Sequence, residues 1–222
     1  MMEMLKELAP MLWEGTVDTL YMTVLSTFFA YLLGLPMGVL LSITDKGGIL
    51  ENRPFNTVFG WIINILRSFP FVILMIAIVP FTRLIAGKIY GPTAAVVPLV
   101  IAAAPFVARL VESSLAEIDA GVIEAAKCMG ATTGQIILRV MLTESVPSLV
   151  RGLSITTITL IGYSAMAGAV GAGGLGDIAI RYGLHRYETD VMMITIVLLI
   201  VIVCLIQLIF DHTANHIDKR NR

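Results

Sequence analysis

The run VMMITIVLLIVIVCLIQLIF at 191–210 limits the possible folds more than any other stretch, because it carries no charge over the length of a bilayer. A membrane-spanning helix needs about 20 predominantly apolar residues. A surface helix of a soluble domain keeps a charged or polar face over the same distance. Four further runs reach or approach this length: 17–43 with Pro36 in its later turns, 58–81 with Arg67 and Pro70, 93–110 with Pro98 and Pro105, and 149–170. Proline and glycine do not disqualify these runs, since neighbouring helices re-satisfy the freed backbone groups. Composition agrees. Of 222 residues, 57% are hydrophobic and 14% charged, where soluble domains carry about 25% charged residues; mean hydropathy is +0.89. The expectation is an all-α integral membrane protein, one domain over 1–222 with five transmembrane helices.

Several function classes drop out. A net charge of −1 gives no broad basic surface for nucleic acid. Cys128 and Cys204 are too few and too far apart for a disulfide framework, so both are read as free thiols. The segment Met1–Glu14 mixes Glu3, Lys6, Glu7 and Glu14 with apolar residues, unlike the basic leader and short apolar core of a signal peptide.

Five spans place the termini on opposite sides, and Lys and Arg concentrate on the cytoplasmic side. With the N-terminus outside, Lys46, Arg53, Arg109, Lys127, Arg139, Arg151, Lys219, Arg220 and Arg222 fall inside, against Lys6, Arg83, Lys88, Arg181 and Arg186 outside. The C-terminus is then cytoplasmic, and the longest cytoplasmic connection is the loop at 111–147.

Within that loop, SSLAEIDAGVIEAAKCMGATTGQIILRVMLTESVPSL reads as two short helices with a break. Asp119 suits an N-cap, its carboxylate accepting from free amides of the first turn. Gly130 suits the left-handed position that closes a helix. Thr132 and Gln135 have capping-box spacing and start a second helix at QIILRVML. From the residues alone, this pair either fills a groove on a soluble partner or is a surface hairpin without one.

EAAKCMGATTGQIILRVMLTESVP resembles the EAA loop of ABC importer permeases: Glu-Ala-Ala, three residues, Gly, then an apolar tail. Glu124, Ala125, Ala126 and Gly130 match the family positions, and Val140 and Leu142 fill later apolar ones. Two positions depart: Thr143 stands where Pro is usual after Leu142, and Asp119 where a Pro often precedes the helix. ILRSFPFVILMIAIVPFTR, AAPFVARLVESSLAEI and YSAMAGAVGAGGLG are similar to the methionine-importer branch. The resemblance implies a type I ABC importer permease fold in the bacterial inner membrane, and a coupling helix that carries Glu124, Ala125, Ala126, Met129, Gly130 and Ala131 into an ATPase cleft. It also implies a homodimer with two ATP-binding subunits, which bind ATP and Mg so that this chain needs no cofactor. An extracytoplasmic methionine-binding lipoprotein completes the set.

Inside the spans, Arg67 is the charged residue to explain, since an ionisable group at such depth usually faces a cavity or the bundle interior. It serves either a structural or gating contact near the cytoplasmic end or substrate binding, with Pro70 kinking the helix beyond it. Thr156, Thr159, Tyr163, Met166 and Val170 recur three and four apart on one helix face. They line a pathway, or else the threonines bond their own backbone and the face packs between helices. By resemblance, Met166 is the gate. Gly171, Gly173 and Gly176 satisfy G-x-G-x-x-G, but an apolar span precedes them in place of a strand, so a tight turn is expected and nucleotide binding is not. The chain has no P-loop, and the ATPase must be another protein. His212 and His216 share a face with no third ligand beyond Asp211, so no metal is expected.

Three alternatives compete. A permease for a polar amino acid differs only in ligand. An intramembrane serine protease would use Ser164 and a histidine at similar depth, and His185 and His212 lie at span boundaries. An ion-driven transporter would show internal repeats and intramembrane carboxylates, and neither is present.

Overall fold

Four helices in the computed structural model, which describes residues 2–218, are long and apolar enough to cross a membrane, and the count is five if the pair Arg53–Arg67 and Phe71–Ala77, bent by 94°, is taken as one span. Met1 and 219–222 lie outside the described residues, and with them Lys219, Arg220 and Arg222 of the charge tally. Helix α1 runs Met2–Thr44, α2 Arg53–Arg67, α3 Phe71–Ala77, α4 Val79–Ala86 and α5 Pro92–Ala116. The short helix α6 is Ala120–Cys128. A nearly continuous path follows, made of α7 (Thr133–Gln135), a π-helical segment (Ile136–Met141), α8 (Leu142–Glu144) and α9 (Val146–Gly168). After α10 (Gly174–Ile178) and a second π-helical segment (Ala179–Leu184), α11 runs Thr189–Ile217.

Two expected boundaries change. The span at 58–81 is not one helix. Pro70, with no N–H to donate and a preceding residue pushed out of the helical region, breaks it at Ser68–Pro70, and the chain breaks again at Ile78. The third span continues past 110 to Ala116, so Arg109 sits within α5 and not in a loop.

The chain divides into two compact units, one comprising the residues up to Phe29, Phe69–Ala103 and Thr157–Gln207, the other Ala30–Ser68, Ala104–Thr156 and the residues from Leu208 onward. In the first, Leu12, Leu175, Ile178 and Val191 form a buried cluster. Thr19 ties the start of α1 to α10: its hydroxyl donates to the Gly15 carbonyl at 2.8 Å and accepts from the Leu175 amide at 2.9 Å. The turn between α9 and α10 needs positive φ at Gly171 (87°), Gly173 (82°) and Gly174 (79°), a region closed to most side chains. Gly176 then lies so close to the Ala165 backbone that no Cβ fits. The G-x-G-x-x-G signature is therefore a helix-to-helix turn, as its apolar approach indicated.

In the second unit the seam is built on Gly34 and Gly38. A Cβ on Gly34 would stand 2.7 Å from the Ala104 carbonyl oxygen, and one on Gly38 2.5 Å from that of Ala108. Small residues four apart let α1 and α5 approach backbone to backbone, the favoured contact where lipid removes any hydrophobic incentive to pack. Leu41, Ile63 and Ala108 fill the adjoining core. Polar clasps finish it. Asn56 donates to the Leu41 carbonyl at 2.7 Å. Arg109 donates to Glu112 at 2.7 Å and to the Gly60 carbonyl and Asn64 at 3.0 Å each. Arg151 pairs with buried Asp218 at 2.8 Å. Arg109 stays inside a span because these partners replace its water.

Candidate functional site

The loop that carries the Glu-Ala-Ala sequence is set by three local caps. The Asp119 carboxylate accepts from the Gly121 amide at 2.7 Å and opens α6. At the far end Gly130 has φ 80°, its amide donating to the Lys127 carbonyl at 2.9 Å and the Ala131 amide to that of Ala126 at 3.1 Å. That pair of bonds is the glycine-terminated helix end in which two orphan carbonyls are satisfied. Thr132 and Gln135 then bond reciprocally, as their spacing requires. All three caps agree with the sequence reading. The second helix differs: within QIILRVML, Ile136–Met141 forms a π-helical segment, with the Thr143 hydroxyl reaching the Leu138 carbonyl five residues back at 3.5 Å.

The two faces of α6 are distinct. Ala126 is buried, and Ile123 beside it is half-buried, facing the chain's own π-helical segment. Val122, Ala125 and Met129, spaced three and four apart, form the outward stripe, flanked by Glu124 and Lys127. Met129 is 81% exposed. Ala125 is thus exposed, while Ala126 packs the helix against the rest of the chain. Val122 was not singled out from the sequence, although its spacing from Ala125 and Met129 is the signal that identifies it. Exposed Leu138 follows on the π-helical segment.

The five-residue stripe is not uniform and outruns its helix, because α9 ends at Gly168 and leaves Val170 in the turn that follows. Thr156 is fully buried and donates to the Gly152 carbonyl at 2.9 Å, which is the backbone-bonding option left open above. Thr159 is half-buried. Tyr163 is half-buried with its ring stacked on Phe71 at 4.7 Å between centroids and 3° between planes. Met166 is 49% exposed on the same face as exposed Gly162 and Ala169. Val170 lines a cavity with Ala167 and Ala172. Arg67 ends α2 just before the Ser68–Pro70 break; it is exposed, with its guanidinium 5.9 Å from the Phe106 ring centroid.

The alternative chemistries find no support in the geometry. The Ser164 hydroxyl is buried and donates to the Ile161 carbonyl at 2.8 Å, so no base activates it. Among the described residues no three His, Cys, Asp or Glu side chains converge as a metal site.

Comparison with known proteins agrees with this geometry. Residues 30–222 match the family described as binding-protein-dependent transport system inner membrane component. The chain is 51% identical over 95% of its length, and 93% of the relative's, to a probable D-methionine transport system permease protein MetI of Vibrio cholerae. It is 48% identical to the methionine import system permease protein MetP of Bacillus subtilis, over 94% of both chains. A chain of the MetNI methionine ABC transporter, solved in inward-facing conformations, superposes with a TM-score of 0.94 at 47% identity, covering 96% of this chain and 99% of that one. This chain therefore belongs to the family of binding-protein-dependent transport system inner membrane components, as a permease of the branch that holds MetI and MetP.

Proposed function

We propose that this permease moves methionine, in both its L- and D-forms, into the bacterial cytoplasm as one half of a homodimer. Two ATP-binding subunits, which hold the ATP and Mg, engage it from the cytoplasm, and an extracytoplasmic methionine-binding lipoprotein delivers the ligand. The N-terminus lies outside and the C-terminus inside, and the whole chain acts as a single transmembrane domain. The observation that carries the substrate assignment is identity near one half, over nearly the full length, to permeases named for methionine. A permease for a polar amino acid would not be expected to sit in that branch.

The coupling reading rests on the exposed stripe of α6. Val122, Ala125 and Met129 present exposed apolar surface among the described residues, and burying a side chain such as Met129 against an ATPase stabilises by about 1.5–3 kcal/mol. Glu124 lies beside them for a basic group on that partner. Below, Ala126 and Ile136 are buried where α6 packs on the π-helical segment. Only Ser145 separates α8 from α9. A shift of α6 on ATP binding therefore passes into the helix that carries Met166, whose exposed thioether side chain closes the pathway against its copy across a two-fold axis. Tyr163 and Thr159 border that pathway, Thr156 supports it from within, and Arg67 braces the α2 end.

Reconstitution of permease, ATPase and binding protein in proteoliposomes tests this. ATP-dependent uptake of labelled methionine is the expected result, with little uptake of a polar amino acid such as glutamine; the reverse preference would overturn the substrate. Gly130→Val forces a β-branched residue into φ 80°, at a cost of about 1–2 kcal/mol, and lowers ATPase co-purification and uptake together. Met166→Ala leaves assembly intact and raises ATP hydrolysis in the absence of ligand.

A further inference from the structure

Seven helical threonines in this chain follow one rule, and buried Thr27 and Thr82 depart from it. Thr16, Thr19, Thr23, Thr44, Thr156, Thr195 and Thr213 each donate the hydroxyl to the carbonyl four residues back, at 2.6–2.9 Å. Thr82, on α4 and 4% exposed, leaves its hydroxyl without a hydrogen-bond partner. A buried unsatisfied hydroxyl costs about 1–3 kcal/mol, and an acceptor from outside the chain would relieve that cost.

Thr82 lines a partly open cavity of about 150 Å³ bordered by α3, α4, α5, the end of α9 and the loops at Tyr90 and Ala172. The walls are apolar side chains: Met75, Ile76 and Val79 on one side, Ala94, Ala95 and Pro98 on another, and Ala167 and Val170 on the third. Tyr90 contributes the aromatic surface, and no charged side chain takes part. Dry apolar cavities of this size take up a benzene-sized guest. An uncharged wall excludes a zwitterionic head group and admits an apolar side chain. A thioether answers both features. Its sulfur is a weak acceptor for a hydroxyl, and thioethers gain from contact with aromatic rings and with other polarizable groups. The cavity also adjoins the gate proposed above, since Ala167 follows Met166 directly and Val170 lies in the turn just past the end of α9.

We propose that this cavity is a transient subsite for the thioether side chain of the transported amino acid, with the Thr82 hydroxyl donating to the sulfur. The inference rests on the methionine reading above. It places a selective step in the permease itself, in addition to any selection by the binding protein.

The test uses the assembled permease–ATPase complex in proteoliposomes, without binding protein, and photo-methionine as the probe. After illumination, adducts are mapped by peptide mass spectrometry. Labelling on the peptides that bear Met75–Tyr90 or Ala167–Ala172 is expected, suppressed at least 10-fold by excess methionine and clearly less by norleucine, which lacks the sulfur. Thr82→Val should erase the difference between the two competitors while the complex still assembles, and Ala95→Leu, which fills the cavity, should remove most labelling. Absence of labelling at these peptides, labelling that methionine does not displace (as for a lipid chain), or an unchanged preference in Thr82→Val would each overturn the subsite. Methionine uptake by the same preparation with binding protein added separates the two failures. Uptake without cavity labelling condemns the subsite alone, whereas no methionine uptake condemns the substrate reading.

Discussion

Helices α5 and α11 are both apolar enough to span a bilayer, yet 72% of the most apolar stretch of α5 is buried in the protein against 6% for α11. Their residues explain the contrast. The α5 sequence, PTAAVVPLVIAAAPFVARLVESSLA, is dominated by alanine and valine with two internal prolines, and its small faces let Gly34 and Gly38 of α1 reach its backbone. The α11 sequence is rich in isoleucine, leucine and valine, and Val197, Ile200, Leu205 and Leu208 are all more than half exposed. Apolarity alone shows that a helix avoids water. Side-chain size shows whether its solvent is protein or lipid, because only small residues allow the close approach that drives association in a membrane.

The comparison is most readily broken at the α1–α5 seam. Gly38→Leu drives a side chain into the Ala108 carbonyl, and overpacking of this kind costs about 3 kcal/mol or more; the expected result is loss of folded complex, read as a collapse of the monodisperse peak on size exclusion. Arg109→Leu comes next. It strands Glu112 and removes the donors to Gly60 and Asn64, and because the guanidinium is about a quarter exposed the penalty is about 1–3 kcal/mol. A thermal melt in detergent should show it, with partial recovery when Glu112→Gln is added. The smallest effect is expected on α11, where Leu205→Ala changes the melt by no more than about 0.5 kcal/mol. A label at Cys204, exposed on the same helix, should be quenched by brominated lipid. A large destabilisation from Leu205→Ala would show that α11 is covered, and the lesson drawn from side-chain size would fail.

Features fixed within a few residues were legible in the sequence. Asp119, Gly130, Thr132 and Gln135 each act on backbone groups one turn away, so spacing alone identifies them. Four of the five apolar runs were legible for the same reason, since each forms one helix that satisfies its own backbone. Features that need a distant partner were hidden. Gly34 and Gly38 mean nothing without the facing alanines of α5. Arg109 looked like a loop residue because its charge was visible and its three partners were not. The second break of the bent span, at Ile78, is marked by Pro80 in the first turn of α4, but the π-helical segments carry no local signal. Neither does the inward turn of Ala126, which depends on the π-helical segment lying beneath α6. Thr82 reads as an ordinary helical threonine until its missing bond is seen.

The π-helical segment at Ile136–Met141 has a consequence for how this chain tolerates change in length. A π turn holds one residue more than an α turn over a similar rise, so it stores a one-residue insertion without turning the helices on either side. Deletion of a single residue between Ile136 and Met141 would let that wide turn close to an ordinary one while α9 kept its facing. The same deletion inside α9 would swing every later side chain by about 100° about the helix axis and carry Met166 off its face. The stretch between the partner-facing loop and α9 is thus a reserve of slack, one place where sequence length can drift while the helix downstream holds its aim.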